Sequence, residues 1–525
     1  MKKGILAIIT TLIFIGAHGQ DLDWMIKSGK VNVPNNNIAV DANGNVYMVA
    51  DALDTIDVDP SSNVEIVPVS ASGGQETFLV KYDSQGNFLW VRIMNSSIQS
   101  SVSNFSVDDD GNCYVSGQFD GDIDFDNSIT TDNLTDSNLQ GPTGFLAKYD
   151  NNGNFLWSKV ANGKVNATSN SEFLLYGFYN SSTDFDLGNG THFEPVFDSI
   201  GGVYVAKYDG TSNLISVKTT SDGEQKHIVW AGEKNGEIYL AVHESELDTV
   251  LINTDTYIFS TANFFISKYN INGNLDWKRT VGQNGDDRVT SCVLDNLGNL
   301  YVAGNFQNTV NFNPAGVSNN LVSVGRNDMF IAKYNSTGIN EWAYNISDQL
   351  DTSTAMFYTI ANQILSMDYG INEGLLISGT HSQELEVNHS GGMTLLTPIN
   401  GAGSFVMNFD ENGIYNWGET IQSASNGYVH GHGIATNNNG NFYWSGHFES
   451  EVDFDLGTGV HSVFAPFKAL FLAKYSFNTV GIHENEFNLE FSLYPNPASK
   501  NISIELEIEN QLVNIQIISR TLRII

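Results

Sequence analysis

Two histidines separated by one residue, His430 and His432, have the most metal-like spacing in the sequence. Residues two apart on a β-strand point to the same side, and neutral imidazoles ligate transition metals. When the repeats described below are aligned, His432 falls on the face of Ile434, where another copy has Ser103 and Phe105. Packing between repeats is therefore favoured over a metal site, and the sequence names no third ligand.

Acidic turns are a second group of candidate ligands, and the densest of them is the stretch Asp108 to Asn112. Calcium takes about six to eight oxygens from flexible loops, but these turns lack the length and the bidentate glutamate of an EF-hand loop. Hairpin geometry by itself favours Asp and Gly there. We expect Asp108 and Asp110 to be structural and no cofactor to be bound, with calcium as the alternative.

A second acidic pattern recurs as Asp184-Phe-Asp186 and Asp453-Phe-Asp455. Alternation along a strand places both carboxylates of each pair on one face. We expect these pairs to lie on a solvated edge, with cation binding as the alternative.

Motifs for nucleophilic or phosphate chemistry are missing, because the sequence has no G-x-S-x-G elbow, no P-loop and no G-x-G-x-x-G that opens a helix. Acid–base catalysis by a pair of carboxylates is still possible. With 59 acidic residues, the sequence does not show which two would form the pair. We expect a non-catalytic protein; catalysis stays an alternative.

The charge balance limits the partners, since 24 basic and 59 acidic side chains give a net charge of −35. Nucleic acid is not expected as a partner, because phosphate binding needs a basic surface. The composition of 41% hydrophobic and 16% charged residues, with 49 Gly, indicates an ordered chain rich in turns.

The first residues predict export. Lys2 and Lys3 precede an apolar run from Ile5 to Ile15, and small residues follow. This pattern indicates a signal peptide over residues 1–20, and the run is shorter than the roughly 20 residues of a spanning helix. We therefore expect a secreted or outer-membrane surface protein that passes through the periplasm and has no transmembrane span.

One phrase recurs through the rest of the chain: an aromatic residue, two small or aliphatic residues, Lys-Tyr-Asp/Asn, a turn, and then Trp. A second phrase alternates with it and is clearest as FSVDDDGNCYVSGQF from Phe105. Each phrase reads as two strands joined by a tight turn, so every repeat holds four antiparallel strands. The first phrase begins seven times, at Phe78, Phe145, Tyr204, Phe265, Phe330, Phe405 and Phe471.

Seven units of this size predict an all-β fold, a seven-bladed β-propeller of four-stranded blades over residues 21–476. The last copy stops at Tyr475, before its Trp-containing strand, and Leu22-Asp23-Trp24 reads like Leu275-Asp276-Trp277. We therefore expect the N-terminal strand to complete the last blade and close the ring.

These phrases resemble the SBBP repeats of seven-bladed bacterial propellers and, more distantly, the tryptophan-docking repeats of quinoprotein-like propellers. The resemblance implies a fold but no activity and no quinone. In the third copy, Ser216 takes the place of the tryptophan. The resemblance implies docking roles for the tryptophans of the other copies, which are Trp24, Trp90, Trp157, Trp277, Trp342 and Trp417.

The tail starts a new pattern after a linker over residues 477–489. Residues 490–525 resemble the C-terminal sorting domain of type IX secretion clients in Bacteroidetes, shortened here, because an LYPNP phrase precedes two strand-like runs. The resemblance implies export by the type IX machinery and a sorting signal formed by Leu493, Tyr494, Pro495, Asn496 and Pro497.

The acidic charge suits neutral or cationic ligands. We expect a secreted or cell-surface binding module for a glycan or protein partner, which it holds through loops on one face. Two alternatives stay open: a glycan-degrading hydrolase or lyase with a carboxylate site at the propeller axis, and a structural envelope component.

Overall fold

The computed structural model describes most of the chain between residues 19 and 478 and three strands of the tail. The gaps within 19–478 are 35–36, 70–73, 127–132, 137–140, 169–170, 181, 197–201, 221–224, 253–254, 283–284, 325–326, 349–361, 398–402, 424–426, 438 and 458. The tail is described at 493–494, 503–508 and 511–516. Regular structure in these residues is β-strand apart from a 3₁₀ position at Ser171, and no helix among them is long and apolar enough to cross a membrane.

Gln20–Phe477 form one compact unit, built of seven antiparallel sheets that we call blades 1 to 7. Six blades are regular and have four continuous strands, whereas the innermost strand of blade 1 is broken into two short pieces. From the inner to the outer edge, the strands are as follows: blade 1, Val31–Asn32 with Ile38–Val40, Val46–Ala52, Glu76–Tyr82 and Phe88–Ser96; blade 2, Gln99–Val107, Cys113–Asp120, Thr143–Tyr149 and Phe155–Val160; blade 3, Lys164–Ala167, Phe173–Tyr179, Gly202–Tyr208 and Leu214–Thr220; blade 4, Gln225–Lys234, Glu237–Ile252, Asp255–Tyr269 and Leu275–Val281; blade 5, Arg288–Leu294, Leu300–Phe306, Asp328–Tyr334 and Asn340–Asp348; blade 6, Gln363–Gly370, Gly374–His381, Gly403–Phe409 and Tyr415–Gln422; blade 7, Val429–Thr436, Asn441–Asp453, Ser462–Asn478 and Gly19–Lys27.

Short hairpins project between the second and third strands of four blades. Two of them also pair with the outermost strand of the preceding blade, as Ile123 does with Ser96 and Val387 with Ile346. The hairpins thereby cover part of an exposed sheet edge. Their strands are Ile56–Asp57 with Ile66–Val67, Asp122–Asp124 with Asn133–Thr135, Thr309–Asn311 with Asn320–Val322, and Leu385–His389 with Gly392–Leu396.

The prediction of an all-β propeller is confirmed, and so is its closure. Gly19–Lys27 forms the outermost strand of blade 7, beside Ser462–Asn478. The ammonium of Lys474 lies 2.9 Å from the carboxylate of Asp23, and the Ser28 N–H donates to the Leu470 carbonyl. The two ends of the propeller chain therefore share one sheet.

The core lies in the central strands of each blade, because these strands have neighbours on both edges and both faces. Every residue of Val46–Ala52, Leu300–Phe306 and Gly403–Phe409 is buried, whereas Phe88–Ser96 at an outer edge alternates. Continuous Val, Ile, Phe and Tyr runs suit strands that are covered on both sides.

The Lys-Tyr…Trp phrase joins neighbouring blades. In blade 4 the indole N–H of Trp277 and the ammonium of Lys268 both donate to the Ser336 carbonyl, in a turn of blade 5. A Cβ on Gly338 of that turn would lie 2.5 Å from the Trp277 ring, so glycine is required for the indole to pack there. Trp24, Trp90, Trp157 and Trp342 make the same kind of indole contact. The predicted docking role of these tryptophans is therefore confirmed by geometry.

The tail strands form their own three-stranded antiparallel sheet of Leu493–Tyr494, Ser503–Ile508 and Gln511–Gln516. Leu493 pairs with Ile504, so the start of the predicted sorting signal belongs to a β-strand. Pro495, Asn496 and Pro497 lie outside the described residues.

Candidate functional site

A cavity of about 500 Å³ runs along the propeller axis and is lined by residues from the inner strands of all seven blades. The innermost strand of each blade has one edge without a neighbouring strand. Side chains of neighbouring blades form hydrogen bonds with some of the backbone groups on that edge. The Asn104 amide donates to the Val165 carbonyl, and the Thr290 hydroxyl donates to the Ile364 carbonyl. Much of the polarity of the cavity therefore serves contacts between blades.

The described lining of this cavity includes one carboxylate, that of Asp368. Asp368 Oδ2 accepts the Thr436 N–H at 2.7 Å, and burial raises the pKa of the carboxyl group. Glycoside hydrolysis of the usual kind needs two carboxyl groups on either side of the bond. The described axial residues do not assemble such a pair.

The acidic turns serve as hairpin turns. Asp108 Oδ1 accepts the N–H groups of Asp110 and Asn112, and Asp108 Oδ2 accepts the Asn112 amide. The carboxylate of Asp110 accepts the Ser171 hydroxyl at 2.8 Å. These oxygens are thus occupied by the turn and by the neighbouring blade.

The Asp-Phe-Asp pairs have a different structural use. Asp453 Oδ1 accepts the N–H groups of Asp455 and His461, which shapes the connection between the second and third strands of blade 7. The intervening Phe454 is fully buried, and its carbonyl accepts the Tyr475 hydroxyl at 2.9 Å. The Asp-Phe-Asp segment and the tyrosine of the Lys-Tyr phrase are therefore joined by a hydrogen bond within the blade.

A cluster of three histidines in blade 7 is the one group of three or more potential metal ligands in the described residues. His430 and His432 come from the innermost strand and His447 from the second strand, and one ring nitrogen of each lies within 4.8 Å of the others. His432 Nε2 and His447 Nδ1 are 3.1 Å apart. We call this group the blade 7 histidine cluster.

A β-bulge produces the histidine cluster. His430 lies directly opposite His447 and Gly431 opposite Gly446, but the next pair is Gly433 with Ser445, so His432 is an extra residue in its strand. Bulges of this kind re-aim a side chain. A Cβ on Gly431 would lie 2.2 Å from the Trp444 indole nitrogen, so only glycine fits between the two histidines.

The prediction that His432 shares a face with Ile434 is wrong for the same reason. Ile434 pairs with Trp444, whereas His430 pairs with His447, and these two pairs lie on opposite faces of the sheet. The argument that favoured packing between blades assumed regular alternation, which the bulge interrupts.

The electrostatics keep the three imidazoles neutral. Burial lowers the pKa of His430, that of His432 to about 3 and that of His447 to about 2. Lys468 acts in the same direction on all three, and the neighbouring histidines do so on His432 and His447. A neutral ring has one nitrogen lone pair that can bind a metal, and metal binding would replace the contact between His432 Nε2 and His447 Nδ1. The Lys468 ammonium donates to Asn32 Oδ1 at 3.1 Å.

Sequence reasoning found two of the three clustered histidines and missed His447. The signal for it was present in blade 4, where His227 and His243 pair across the same two strands. Aligning these two blades by cross-strand pairs would have placed His447 opposite His430.

No protein-family model matches this chain, so the SBBP and sorting-domain resemblances stay predictions. The chain is similar to an uncharacterized WD repeat-containing protein, L264, of Acanthamoeba polyphaga mimivirus, with 22% identity over 505 residues. The match covers 79% of this chain and 35% of the viral protein, so this chain spans about a third of that relative. Together with the sheet topology, it makes the fold a WD-repeat-like β-propeller.

Two solved structures show weaker likeness. A chain from the crystal structure of the mitotic checkpoint complex gives a TM-score of 0.40 at 8% identity, covering 90% of this chain and 97% of that one. A subtype N10 neuraminidase-like protein of A/little yellow-shouldered bat/Guatemala/060/2010 gives 0.28 at 9% identity, covering 71% and 94%. Scores this low carry no argument about this chain.

Proposed function

We propose that the protein is an exported, non-catalytic binding module that holds a protein partner on one end of the propeller. In every blade the connection between the second and third strands emerges at the same end, because all blades share one strand order. We call this end the connection face. Variable loops on a rigid scaffold are the usual seat of binding.

The observation that carries the proposal is exposed apolar surface in these connections. Apolar side chains exposed by more than two-fifths occur in these connections in five blades, and in blade 7 two of them lie at the start of the third strand. Four of the five blades have two or three of them within a short stretch, and exposed apolar side chains that lie together mark interaction surfaces. They are Val64 and Ile66 in blade 1, Phe193 in blade 3, Val317, Val322 and Val324 in blade 5, Met393 and Leu395 in blade 6, and Val460, Phe464 and Phe467 in blade 7.

Apolar anchors of this kind suit a protein partner more than a glycan, since protein interfaces concentrate large apolar side chains at their centre. The net charge of −35 favours a neutral or cationic partner surface. The similarity to a WD repeat-containing protein is consistent with a scaffold of this class.

The export route belongs to the same proposal. It rests on the signal peptide pattern of residues 1–20 and on the LYPNP phrase, whose first two residues form a strand in the tail sheet. Expression of the full chain in a bacterium with a type IX system should place it outside the cell. Retention of the full-length chain in the periplasm would count against this route.

The test of binding compares two double variants of the full chain. Phe464→Ser with Phe467→Ser alters the connection face, and Ile271→Ser with Leu297→Ser alters residues that are somewhat more exposed, in turns at the opposite end. Cross-linking on the surface of producing cells should identify a partner that the first variant loses and the second retains. Equal capture by both variants, or binding only to an array of glycans, would overturn the protein-binding proposal.

A further inference from the structure

We propose that the blade 7 histidine cluster binds one divalent late first-row transition-metal ion, through ring nitrogens of His430, His432 and His447. Three neutral nitrogen donors are a ligand set that such ions take in proteins, and three ligands leave a further position open for water or another donor. The site is independent of the proposed partner binding, although it lies at the same end of the ring.

The geometry is the first argument. Tetrahedral zinc with bonds of about 2.0–2.1 Å to nitrogen places ligand atoms roughly 3.3 Å apart. One pair, His432 Nε2 and His447 Nδ1, is already 3.1 Å apart, and all three chosen atoms lie within 4.8 Å. A shift of up to about 1.5 Å in the His430 ring, the difference between 4.8 Å and 3.3 Å, would complete such a triangle.

An unpartnered atom is the second, independent argument. His430 Nε2 is buried and has no hydrogen-bond partner in the described structure. Buried polar atoms of this kind are rare and call for an explanation such as an ion. A ligand bond from His430 Nε2 would supply the missing partner.

Blade 4 contains a comparable pair of histidines that has only a structural role. In blade 4, His227 and His243 face each other as His430 and His447 do, but the bulge position is Val229 and His243 Nε2 accepts the Val289 N–H at 2.9 Å. That pair has two imidazoles, and one of its nitrogens is already committed. Only the blade 7 arrangement has a third histidine at the bulge.

The surroundings select among metals. The cluster contains neither thiolate nor carboxylate, which disfavours calcium and magnesium and favours zinc, nickel or copper. The Lys468 ammonium opposes a cation, but it is held by Asn32, and His430 and His432 are only half-buried, so an ion can enter from solvent.

The test uses the full chain without a histidine tag, stripped with a chelator and titrated with Zn²⁺ alone by calorimetry. We expect one equivalent to bind, and His432→Val, which copies the blade 4 arrangement, to weaken binding at least about tenfold. His447→Gln should do the same, whereas His227→Gln in blade 4 should leave zinc affinity unchanged.

A second readout keeps the proposal testable if a variant folds poorly. Co²⁺ in a site of three imidazoles should give visible absorption bands of a four- or five-coordinate ion in the wild-type chain, and His430→Gln should abolish them. Wild-type protein that binds no Zn²⁺, or variants that bind it with unchanged affinity and stoichiometry, would overturn the proposal. Loss of zinc binding with partner capture intact would leave the proposed function standing.

Discussion

Blades 4 and 7 place histidines at the same strand positions and use them differently. In blade 4, His243 accepts a backbone N–H of blade 5, so the imidazole works as a bridge between blades. In blade 7, His447 contacts His432 instead, and His430 Nε2 has no partner in the described structure. One substitution at the bulge, valine in blade 4 and histidine in blade 7, accompanies this change from bridge to candidate site.

The two blades also differ in how the chain assembles them. All four strands of blade 4 come from one continuous stretch, whereas blade 7 takes its outermost strand from the other end of the chain. A candidate site in blade 7 therefore sits in the sheet that closes the ring, and its geometry depends on that closure.

The largest effect should come from removing the closing strand. Deletion of residues 21–30 removes Ile26 from the core and Trp24 from its contact with Ser84, which should cost more than about 4 kcal/mol. Hydrogen exchange should show protection lost first in Val429–Thr436 of blade 7 and later in Gln225–Lys234 of blade 4.

A chain that begins at residue 19 is the control for this deletion, because it keeps the whole strand. If the deletion melts at the same temperature as this control, closure by the N-terminal strand contributes nothing measurable. If both blades lose protection together, the ring unfolds as one unit and the contrast between the blades disappears.

Removing each buried histidine in the absence of metal should have unequal effects on stability. His243→Ala leaves the Val289 N–H without its acceptor, which should cost about 1–3 kcal/mol beyond the lost packing. Among the described residues no backbone N–H donates to His447, so the loss for His447→Ala should be smaller. Urea unfolding of both variants measures the difference, and equal losses would show that the two histidines have the same structural role.

The fold could be predicted from the sequence because most repeats make the same contacts with the next blade. The Lys-Tyr…Trp phrase survives in most copies because its lysine and tryptophan share one carbonyl of the next blade, as Lys333 and Trp342 share that of Glu411. The site could be read only in part. Whether His432 faces His447 depends on a one-residue bulge, and alternation alone cannot place such an irregularity.

Acid should weaken the blade 4 bridge. Burial lowers the pKa of His243 from 6.5 to about 4, with the charges of His227 and Arg288 acting in the same direction and that of Asp286 opposing them. Unfolded chains gain a proton at this residue near pH 6.5, so its contribution is complete above that pH and is lost as the pH falls towards 4. The loss should reach about 2 kcal/mol at pH 4.5.

His243→Gln measures this loss, because glutamine keeps an acceptor for the Val289 N–H but does not titrate. The stability of the variant should fall less than that of the wild type between pH 7.5 and pH 4.5, by a few degrees in melting temperature. An identical acid response in both proteins would mean that other groups carry it.

The smallest effect concerns the turn of blade 4 that receives no indole. Ser216 stands where the other blades have tryptophan, and the Lys218 side chain fills the space, since a Cβ on Gly273 would lie 2.4 Å from Lys218 Cε. In blade 4 itself, Arg279 lies over the Trp277 ring, two residues further along the strand. Lys218 could take the same place over an indole at position 216, because a cation over an indole face is attractive.

Ser216→Trp should therefore stabilise the protein by about 1 kcal/mol, through apolar burial and a lysine–indole contact. Thermal melting measures the gain, and Ser216→Ala is the control, since it removes the hydroxyl without adding a ring. A lower melting temperature for the tryptophan variant would mean that the blade 3 strand cannot bring an indole onto Gly273. The absence of tryptophan at position 216 would then reflect the local path of the blade 3 strand. Blades would be equivalent in their inner strands, where blades 4 and 7 are compared, but not in their outermost strands.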